Sequence, residues 1–366
     1  MSTGRGDDGD KARRDWHVAD DASPMKAVVI ERFSSALEMA AASDVPAPPL
    51  PGPGEALVDI LAAPINPSDF LVFQGQFGAT PPRLPIFAGG EALGQVAVVG
   101  PGVDHLKPGD RVLALHAGRG NWRQQVLAPA AATAAMRPLP AGADPLQLSM
   151  LAVNPATAHH MLTRFVDLAP GDWVLQNAGN SAVGHCVIRL ARWCGLRTVS
   201  LVRQPAQVPL LEAAGGDVVL VDGPDLATAV ADSIEKAAIR LAIDAIAGAA
   251  TGRLARCLAP GGTVVVYGLL SGLDCAVPAS ELVFRDIAVR GYWFTPWFER
   301  ASAAERAAVY DALGQRVVDG TLSVDIEATY PLERVREALA HAAQDGRRGK
   351  ILLLPNPALL GERPRR

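Results

Sequence analysis

The segment GDWVLQNAGNSAVGHCVIRLARWCGLRTVSLVR, residues 171–203, decides the fold of this chain. Its apolar run at 173–176 predicts a strand, the small residues after it predict a tight turn, and residues 183–194 have helical spacing. A second apolar run at 198–202 follows Gly195 and predicts another strand. The segment therefore has the order and size of one βαβ unit.

The turn of this unit suits a dinucleotide. Small residues let the backbone approach a pyrophosphate, and the N–H groups and dipole at the start of a helix attract its negative charge. Small residues in such a turn also serve close packing, so the spacing alone leaves a packing role and a cofactor role open.

The end of the second strand indicates which dinucleotide the unit prefers. Sites that prefer NAD usually place an acidic residue about 20 positions after the glycine turn. Here Arg203, Gln204 and Pro205 follow the strand, and none of them carries a carboxylate. An arginine suits a 2′-phosphate, so the sequence favours NADPH; the alternative is a solvated charge at a strand end.

Composition bounds the class of protein. With 366 residues, 49% hydrophobic residues and a net charge of −4, the chain can bury a large core, and we expect two domains. This charge favours neither a nucleic acid nor a membrane surface as partner, and no apolar run reaches the roughly 18 residues of a membrane span. Four cysteines without C-x-x-C spacing indicate reduced thiols and a cytoplasmic location.

The first 24 residues are polar and mixed in charge. They lack the apolar stretch of a secretory signal and are too acidic for a transit peptide, so residues 1–24 predict a disordered tail. Folded sequence is expected from Met25, which is an alternative start to Met1.

The rest of the chain has two parts with different sequence patterns. From residue 25 to about 143, short apolar runs at 57–61, 93–99, 111–115 and 124–127 alternate with Pro-Gly turns, which predicts a compact, partly closed β-barrel. From Pro145, predicted strands near 173–177, 198–202, 217–221, 240–244 and 262–268 alternate with predicted helices near 182–194, 206–214, 225–237 and 249–257. This alternation predicts an α/β domain with a doubly wound parallel sheet. Ligands bind at the carboxyl ends of such strands, so we expect the site in a cleft between the two domains.

A set of short motifs spread over the chain resembles one family. They are Asn66-Pro67-Ser68-Asp69, Gln74-Gly75, Gly89-Gly90-Glu91, Val96-Ala97-Val98-Val99-Gly100, Lys107-Pro108-Gly109-Asp110, Gly120-Asn121-Trp122-Arg123, Val153-Asn154-Pro155-Ala156-Thr157-Ala158, Gln176-Asn177-Ala178-Gly179-Asn180-Ser181 and Gly291-Tyr292-Trp293. They resemble the zinc-free medium-chain dehydrogenase/reductases and, within them, the mitochondrial-type trans-2-enoyl thioester reductases. The similarity runs from about residue 25 to 354.

The resemblance implies a GroES-like β-barrel catalytic domain at 25–147 and 299–366, and a Rossmann NADPH-binding domain at 148–298. It also implies a homodimer and NADPH-dependent reduction of a conjugated C=C bond. By matching motif positions it implies cofactor contacts from Asn154, Asn180, Ser181, Ala182, Val183, Arg203, Gln204, Pro205, Tyr267, Gly268, Leu269, Leu270, Tyr292, Trp293, Phe294 and Lys350. Asn66 and Trp293 are candidate catalytic residues on the same ground.

No metal site is expected. The zinc-dependent relatives carry Cys and Gly-His-Glu where this chain has Pro67 and Gly90, and their four-cysteine loop has no counterpart here. His159 and His160 are neighbours, but adjacent helical positions point about 100° apart, so we expect a solvated or core role for them. Without a Lewis acid, the acceptor must be activated, as a carbonyl-conjugated alkene or a quinone is.

The chain departs from the family at the proton donor. The reductases carry a tyrosine in Q-G-x-Y-G, where this chain has Phe77, and a phenyl ring cannot donate a proton. Tyr292 stands where the family often has phenylalanine, so it is either a substitute donor or a packed tyrosine. Three functions stay open: an enoyl thioester reductase with an altered donor, a reductase of quinones or small enones, and an NADPH-binding sensor or scaffold with little turnover.

Overall fold

The computed structural model describes residues 24–114 and 120–361, so the predicted tail lies outside the described residues except for Pro24. The chain forms two compact units. The first unit comprises the chain up to Ala152 and again from Ile326, and the second comprises Val153–Asp325.

The strands and helices are numbered in chain order. The strands are β1 (Pro24–Ile30), β2 (Ala42–Pro46), β3 (Ala56–Pro64), β4 (Ile86–Phe87), β5 (Leu93–Val99), β6 (Arg111–Leu113), β7 (Gln125–Ala128), β8 (Trp173–Gln176), β9 (Arg197–Val202), β10 (Val218–Val221), β11 (Ile239–Asp244), β12 (Thr263–Val266), β13 (Ala288–Gly291), β14 (Ile326–Pro331) and β15 (Lys350–Leu354). The α-helices are α1 (Ala36–Met39), α2 (Pro67–Phe73), α3 (Ala130–Ala135), α4 (Pro145–Leu148), α5 (Asn154–Thr163), α6 (Ala182–Trp193), α7 (Val208–Ala213), α8 (Leu226–Ser233), α9 (Ala249–Cys257), α10 (Ala279–Arg285), α11 (Phe294–Arg300), α12 (Ala303–Val318) and α13 (Val335–Ala342). Short 3₁₀ turns occupy Pro205–Gln207, Leu332–Arg334 and Pro357–Leu360.

The first unit contains two mainly antiparallel sheets. One has the order β14-β15-β3-β5-β6, with β7 also pairing with β3, and the other has the order β2-β1-β4. The backbone N–H of Val28 in β1 donates to the carbonyl of Trp122 at 2.8 Å, which ties the second sheet to the segment before β7. Antiparallel pairing and an apolar core agree with the predicted GroES-like barrel.

A glycine fixes the packing beside this core. Gly89 has φ +96°, and a Cβ placed on it would lie 2.3 Å from Cδ1 of the fully buried Trp122. Two of the sequence motifs, at 89–91 and 120–123, therefore meet in space, because only glycine fits against that indole.

The second unit is built on one parallel sheet with the order β10-β9-β8-β11-β12-β13. Counted along the chain within this unit, the order is 3-2-1-4-5-6, which is the doubly wound dinucleotide-binding arrangement. The predicted fold class is therefore confirmed. The switch point lies between β8 and β11, where the strand order reverses.

The predicted boundaries of the second domain need correction. Residues 299–325 were expected to belong to the barrel domain, but they lie in the second unit. The ring of Tyr310 on α12 lies 6.4 Å from that of Trp297, and the Arg316 guanidinium lies 5.1 Å from the Trp193 ring centre. These aromatic contacts hold α12 on the second unit, which begins at Val153 rather than at residue 148.

Several short helices lay outside the sequence prediction. The helix α2 begins at Pro67, and the backbone N–H of Asn66 donates to Oδ2 of Asp69 at 2.7 Å. Such a start signal stabilises a helix of only two turns, which a periodicity argument does not detect. Of the helices that the structure describes, none is long and apolar enough to cross a membrane.

Candidate active site

The turn after β8 is shaped by glycines. A Cβ on Gly184, in the first turn of α6, would lie 2.3 Å from the carbonyl oxygen of Gly179. The N–H of Gly179 donates to the carbonyl of Leu201 at 2.9 Å, and Ala178 adopts φ +48°. The small residues therefore let the turn, α6 and β9 approach one another closely, which is the packing role that the sequence left open.

The start of α6 is held from two sides. The hydroxyl of Ser181 accepts a hydrogen bond from the N–H of Gly184 at 3.0 Å, which caps the helix. The buried amide of Gln176 donates to Gly184 O at 3.1 Å and to Ser200 Oγ at 3.0 Å. The first N–H groups of a helix have no partner within it, so those of Ala182 and Val183 are placed to receive an anion.

A buried polar cluster occupies the switch point. The amide of Asn177, directly after β8, donates to Oδ1 of Asp244 at 2.6 Å, and its carbonyl oxygen accepts from the N–H of Ala245 at 2.8 Å. The Thr251 hydroxyl donates to Oδ2 of Asp244 at 2.6 Å, and the N–H groups of Ile246 and Ala247 donate to Oδ1. This cluster fixes the loop after β11 at the edge where a dinucleotide binds.

The end of β9 carries the predicted phosphate contact. Arg203, Gln204 and Pro205 are all exposed at that end. The chain segment next to it contains a carboxylate after all, because the N–H of Asp222 donates to the carbonyl of Val202 at 2.9 Å. However, the Asp222 carboxylate is bound in a two-point pair by Arg253, with Nε at 2.8 Å and Nη2 at 2.5 Å.

The ends of β12 and β13 supply the remaining predicted positions of the second unit. Burial raises the pKa of the Tyr267 phenol, and the Ser181 side chain acts in the opposite direction. A Cβ on Gly268 would lie 2.5 Å from the carbonyl oxygen of Ala245, so this loop runs close against the one after β11. Leu269, Leu270 and Trp293 are exposed, whereas Phe294 packs against Trp297 with ring centres 5.6 Å apart.

Tyr292 does more than pack. Its hydroxyl lies 2.6 Å from Nδ1 of His160, which is only 2% exposed, on α5. Burial, together with the charges of His159 and Arg164, lowers the pKa of His160 to about 3, so the ring is neutral. Burial raises the pKa of the Tyr292 phenol. The expected core role of His160 is confirmed, and it comes with a specific polar partner.

Asn66 and Lys350 lie together in the first unit. The ammonium of Lys350, itself buried, donates to the carbonyl of Ile65 and to Oδ1 of Asn66, both at 2.6 Å. The amide of Asn66 donates to Oε1 of the fully buried Glu91 at 2.8 Å, and the N–H of Gly90 donates to Oδ1 of Asp69 at 3.1 Å. These bonds fix which end of the Asn66 amide faces the ammonium.

Phe77 is half-buried and packs against the core of the first unit. Gly75 and Gly78 on either side have φ +70° and +93°, so the ring sits in a tight loop. Across residues 24–114 and 120–361, no group of three or more His, Cys, Asp or Glu side chains is arranged to hold a metal.

The structure thus brings the predicted cofactor residues of the second unit to one edge. They follow β8, β9, β12 and β13, whose parallel pairing places their carboxyl ends on the same side of the sheet. Asn154 is buried at the first position of α5. Asn66, Phe77 and Lys350 belong to the other unit, where a hydrogen bond joins Asn66 and Lys350.

Sequence reasoning missed the buried polar residues that support the site. Asn177 and Asp244 are 67 positions apart, so no local pattern joins them. The available signal was a polar residue at the end of each of two neighbouring strands: Asn177 directly follows β8, and Asp244 is the last residue of β11. His160 was noticed only as a metal candidate, because its partner Tyr292 is 132 positions away.

Two family models match the chain. The zinc-binding dehydrogenase family matches residues 182–309, and the alcohol dehydrogenase GroES-like domain matches residues 52–138. These matches fall on the second and first units respectively.

Curated relatives match over most of their length. The mitochondrial enoyl-acyl-carrier-protein reductase of Rattus norvegicus is 37% identical over 288 residues, which is 77% of this chain and 76% of the relative. The protein of that name from Dictyostelium discoideum is 34% identical over 314 residues, covering 82% of this chain and 86% of the relative.

Solved structures share the fold. A proposed NADPH:quinone reductase from Bacillus thuringiensis is 26% identical, with a TM-score of 0.83 over 91% of this chain and 99% of that one. An enoyl thioester reductase from Candida tropicalis, in a mutant form, is 23% identical with a TM-score of 0.79, over 91% of this chain and 100% of that one, and supports the fold alone. The chain belongs to the medium-chain dehydrogenase/reductase superfamily and is an oxidoreductase that acts on CH–CH groups, with enoyl-acyl-carrier-protein reductases among its relatives.

Proposed function

We propose that this protein reduces a conjugated C=C bond with NADPH, and that its substrate is a trans-2-enoyl thioester. The observation that carries the proposal is the end of β9, where Arg203 stands exposed while the neighbouring carboxylate of Asp222 is held by Arg253. Its similarity to mitochondrial enoyl-acyl-carrier-protein reductases, at 37% identity, supports the reaction class.

The residues at the sheet edge fit a dinucleotide phosphate. The close approach of Gly179 and Gly184 leaves the backbone of the turn without side chains, and the start of α6 offers its N–H groups to a pyrophosphate. Arg203 would hold the 2′-phosphate by charge-assisted hydrogen bonds. Lys350, in the first unit, stays a proposed cofactor contact on the ground of the resemblance alone. When bound, NADPH supplies the hydride.

We propose that no zinc takes part. Pro67 and Gly90 provide no ligand side chain at the two positions where zinc-dependent relatives carry Cys and His. Activation of the acceptor therefore comes from its own conjugated carbonyl.

Protonation of the α-carbon requires an acid that Phe77 cannot be. We propose the Tyr292 phenol for this role, since it lies next to Trp293 at the end of β13 and is only half-buried. Trp293 is exposed there and is proposed to line the substrate site. Asn66 stays a proposed catalytic residue on the ground of the resemblance.

A quinone or small-enone reductase is the second candidate function. Two observations favour it: a quinone product can take its protons from water, so Phe77 would be no handicap, and the solved structure at 26% identity is a proposed NADPH:quinone reductase. A sensor or scaffold with little turnover is the third candidate, with cofactor binding and no oxidation.

We also propose a homodimer, formed through the open edge of the second unit's sheet. In the described part of the chain β13 pairs with β12 alone, and all four of its residues are exposed. On the preceding helix α10, Val283 and Phe284 are 71% and 84% exposed.

All four cysteines are free thiols, which supports a reducing compartment such as the cytoplasm.

An acceptor panel tests the proposed function. NADPH oxidation is followed with crotonyl-CoA, a small enone and a benzoquinone, and each is repeated with NADH. The proposal expects the highest kcat/KM with crotonyl-CoA and NADPH. Higher activity with the quinone would favour the second candidate, and NADPH binding without oxidation by any acceptor would favour the third.

A further inference from the structure

The side chains of His160 on α5 and of Tyr292, directly after β13, are in contact. The phenol oxygen lies 2.6 Å from Nδ1 of the imidazole, although the residues are 132 positions apart. Tyr292 is positioned by its own backbone, whose N–H donates to the carbonyl of Val266 at 2.8 Å. The hydroxyl is therefore placed by a sheet bond at one end and by the histidine at the other.

Aromatic packing fixes the orientation of the imidazole. The Trp297 ring meets it edge-on with centres 4.1 Å apart, and the rings of His159 and Tyr292 lie at 5.5 Å and 5.9 Å. Phe165 packs edge-on against Tyr292 at 6.0 Å. A ring enclosed in this way keeps Nδ1 directed at the phenol.

A neutral imidazole offers two arrangements of this hydrogen bond. One ring nitrogen carries a proton and donates, and the other accepts. If Nδ1 is the acceptor, the phenol O–H donates to the ring, and its proton does not point at a substrate. If Nδ1 carries the proton, it donates to the phenol oxygen, and the phenol proton is directed elsewhere.

We propose, on the basis of the proposed function, that His160 is a positioning residue for proton transfer: its Nδ1–H donates to the Tyr292 oxygen and directs the phenol proton to the substrate. The pair thereby replaces the tyrosine that position 77 lacks. The neighbouring His159 makes no such contact in the part of the chain described, so it supplies a control on the same helix.

Hydride addition at the β-carbon converts the enoyl thioester into its enolate, the Tyr292 O–H bond breaks, and a C–H bond forms at the α-carbon. The resulting tyrosinate keeps the hydrogen bond from Nδ1–H, and water returns the proton. Burial opposes the charged phenolate, so a donor at Nδ1 and the positive charge of Arg164 both assist the transfer.

The tautomer is the first measurement. ¹⁵N NMR spectra of histidine-labelled full-length protein, without cofactor, distinguish Nδ1–H from Nε2–H, and His160→Asn identifies the signal. The inference expects a neutral His160 with its proton on Nδ1. A proton on Nε2 would overturn it, because the phenol would then be the donor to the ring.

Kinetics is the second measurement. His160→Leu should lower kcat with crotonyl-CoA by roughly 10- to 100-fold, because a positioned acid contributes about 10²–10⁴-fold and the variant leaves the phenol in place but unoriented. The rate with benzoquinone should stay within a factor of two. His160→Asn, which can still donate near the Nδ1 position, should recover most of the rate, and the control His159→Asn should change neither rate.

The double variant separates a shared role from a general disturbance. Tyr292→Phe combined with His160→Leu should be no slower than Tyr292→Phe alone, since the two residues act in one step. Equal losses with crotonyl-CoA and benzoquinone would contradict the inference. A parent enzyme that does not reduce crotonyl-CoA contradicts the proposed function, and with it the donor role of Tyr292. A parent that does so with the Nε2–H tautomer contradicts the inference alone.

Discussion

In our proposal, the preference for NADPH over NADH depends on one residue, Arg203. It directly follows β9, and no carboxylate stands among residues 203–205. The sequence was sufficient to propose this, because the residue after the second strand of a βαβ unit has a fixed place relative to the ribose. It was not sufficient to find Asp222, which the sheet brings to the same end and Arg253 neutralises.

Arg203→Glu should weaken NADPH binding by roughly 10- to 100-fold, since a charge-assisted phosphate contact is replaced by repulsion. NADH, which lacks the 2′-phosphate, should lose much less. Titration of both cofactors by fluorescence checks this, with Arg256→Glu, an exposed arginine on α9, as the control. Equal weakening of NADPH and NADH would show that Arg203 does not hold the phosphate.

Phe77→Tyr tests the missing donor. The change adds a hydroxyl with almost no change in volume, at a ring that is already half-buried. In a Tyr292→Phe protein, which lacks the proposed donor, this change should raise kcat with crotonyl-CoA by up to the roughly 10²–10⁴-fold that a general acid supplies. In the parent, where Tyr292 is proposed to donate, kcat should rise little, and the rate with benzoquinone should not change in either protein. A gain in the parent as large as in the Tyr292→Phe protein would show that Tyr292 is not the donor.

Among the elements of the second unit, periodicity was enough to place the strands β8 to β12 and the helices α6 to α9, but not the short helices α10 and α11. The predicted strand at 198–202 and the observed β9 differ by a single residue, because a buried parallel strand between glycine turns leaves little freedom in its bounds. The support beneath the site could not be predicted, since Asn177 and Asp244 meet only after the sheet has formed. Short helices such as α2 also escaped, because they depend on end signals rather than on a repeat.

Gly184→Ala tests the packing of the turn against α6. The added methyl would lie 2.3 Å from the Gly179 carbonyl oxygen, which is backbone and can move only by shifting the turn. We expect a loss of about 1–3 kcal/mol in the free energy of unfolding and weaker NADPH binding. Urea denaturation and cofactor titration measure the two effects.

The control for that substitution is Gly223→Ala, because a Cβ there would meet no atom within 4 Å. It should leave stability and cofactor binding nearly unchanged. A Gly184→Ala protein as stable as the parent, with equal NADPH affinity, would show that the turn tolerates a side chain.

At the scale of the whole molecule, two units and their sheets were predictable, but one boundary was not. Helical spacing identifies α12 without stating which sheet it covers, and its assignment to the second unit depends on Tyr310, Trp297 and Trp193. The oligomeric state also cannot be predicted from the periodicity of the sequence. The proposed homodimer depends instead on exposed surface, since β13 and the apolar end of α10 are exposed in a single chain.

Phe284→Glu tests the proposed dimer. A charge on this 84% exposed side chain should raise the dimer dissociation constant roughly tenfold or more if the residue lies in the interface. Analytical ultracentrifugation gives the constant, and Leu50→Glu, at a 79% exposed position of the first unit, is the control. An unchanged dimer dissociation constant in the Phe284 variant would place the interface elsewhere. A parent protein that sediments as a monomer would contradict the proposed homodimer.

We propose that this chain moves a hydride from NADPH to an activated C=C bond, and the fate of deuterium tests this transfer. The enzyme is supplied with crotonyl-CoA and NADPH deuterated at the transferred position, in light water. We expect butyryl-CoA with one deuterium on the β-carbon and a hydrogen from water on the α-carbon. Butyryl-CoA without deuterium on the β-carbon, or no butyryl-CoA at all, would contradict it.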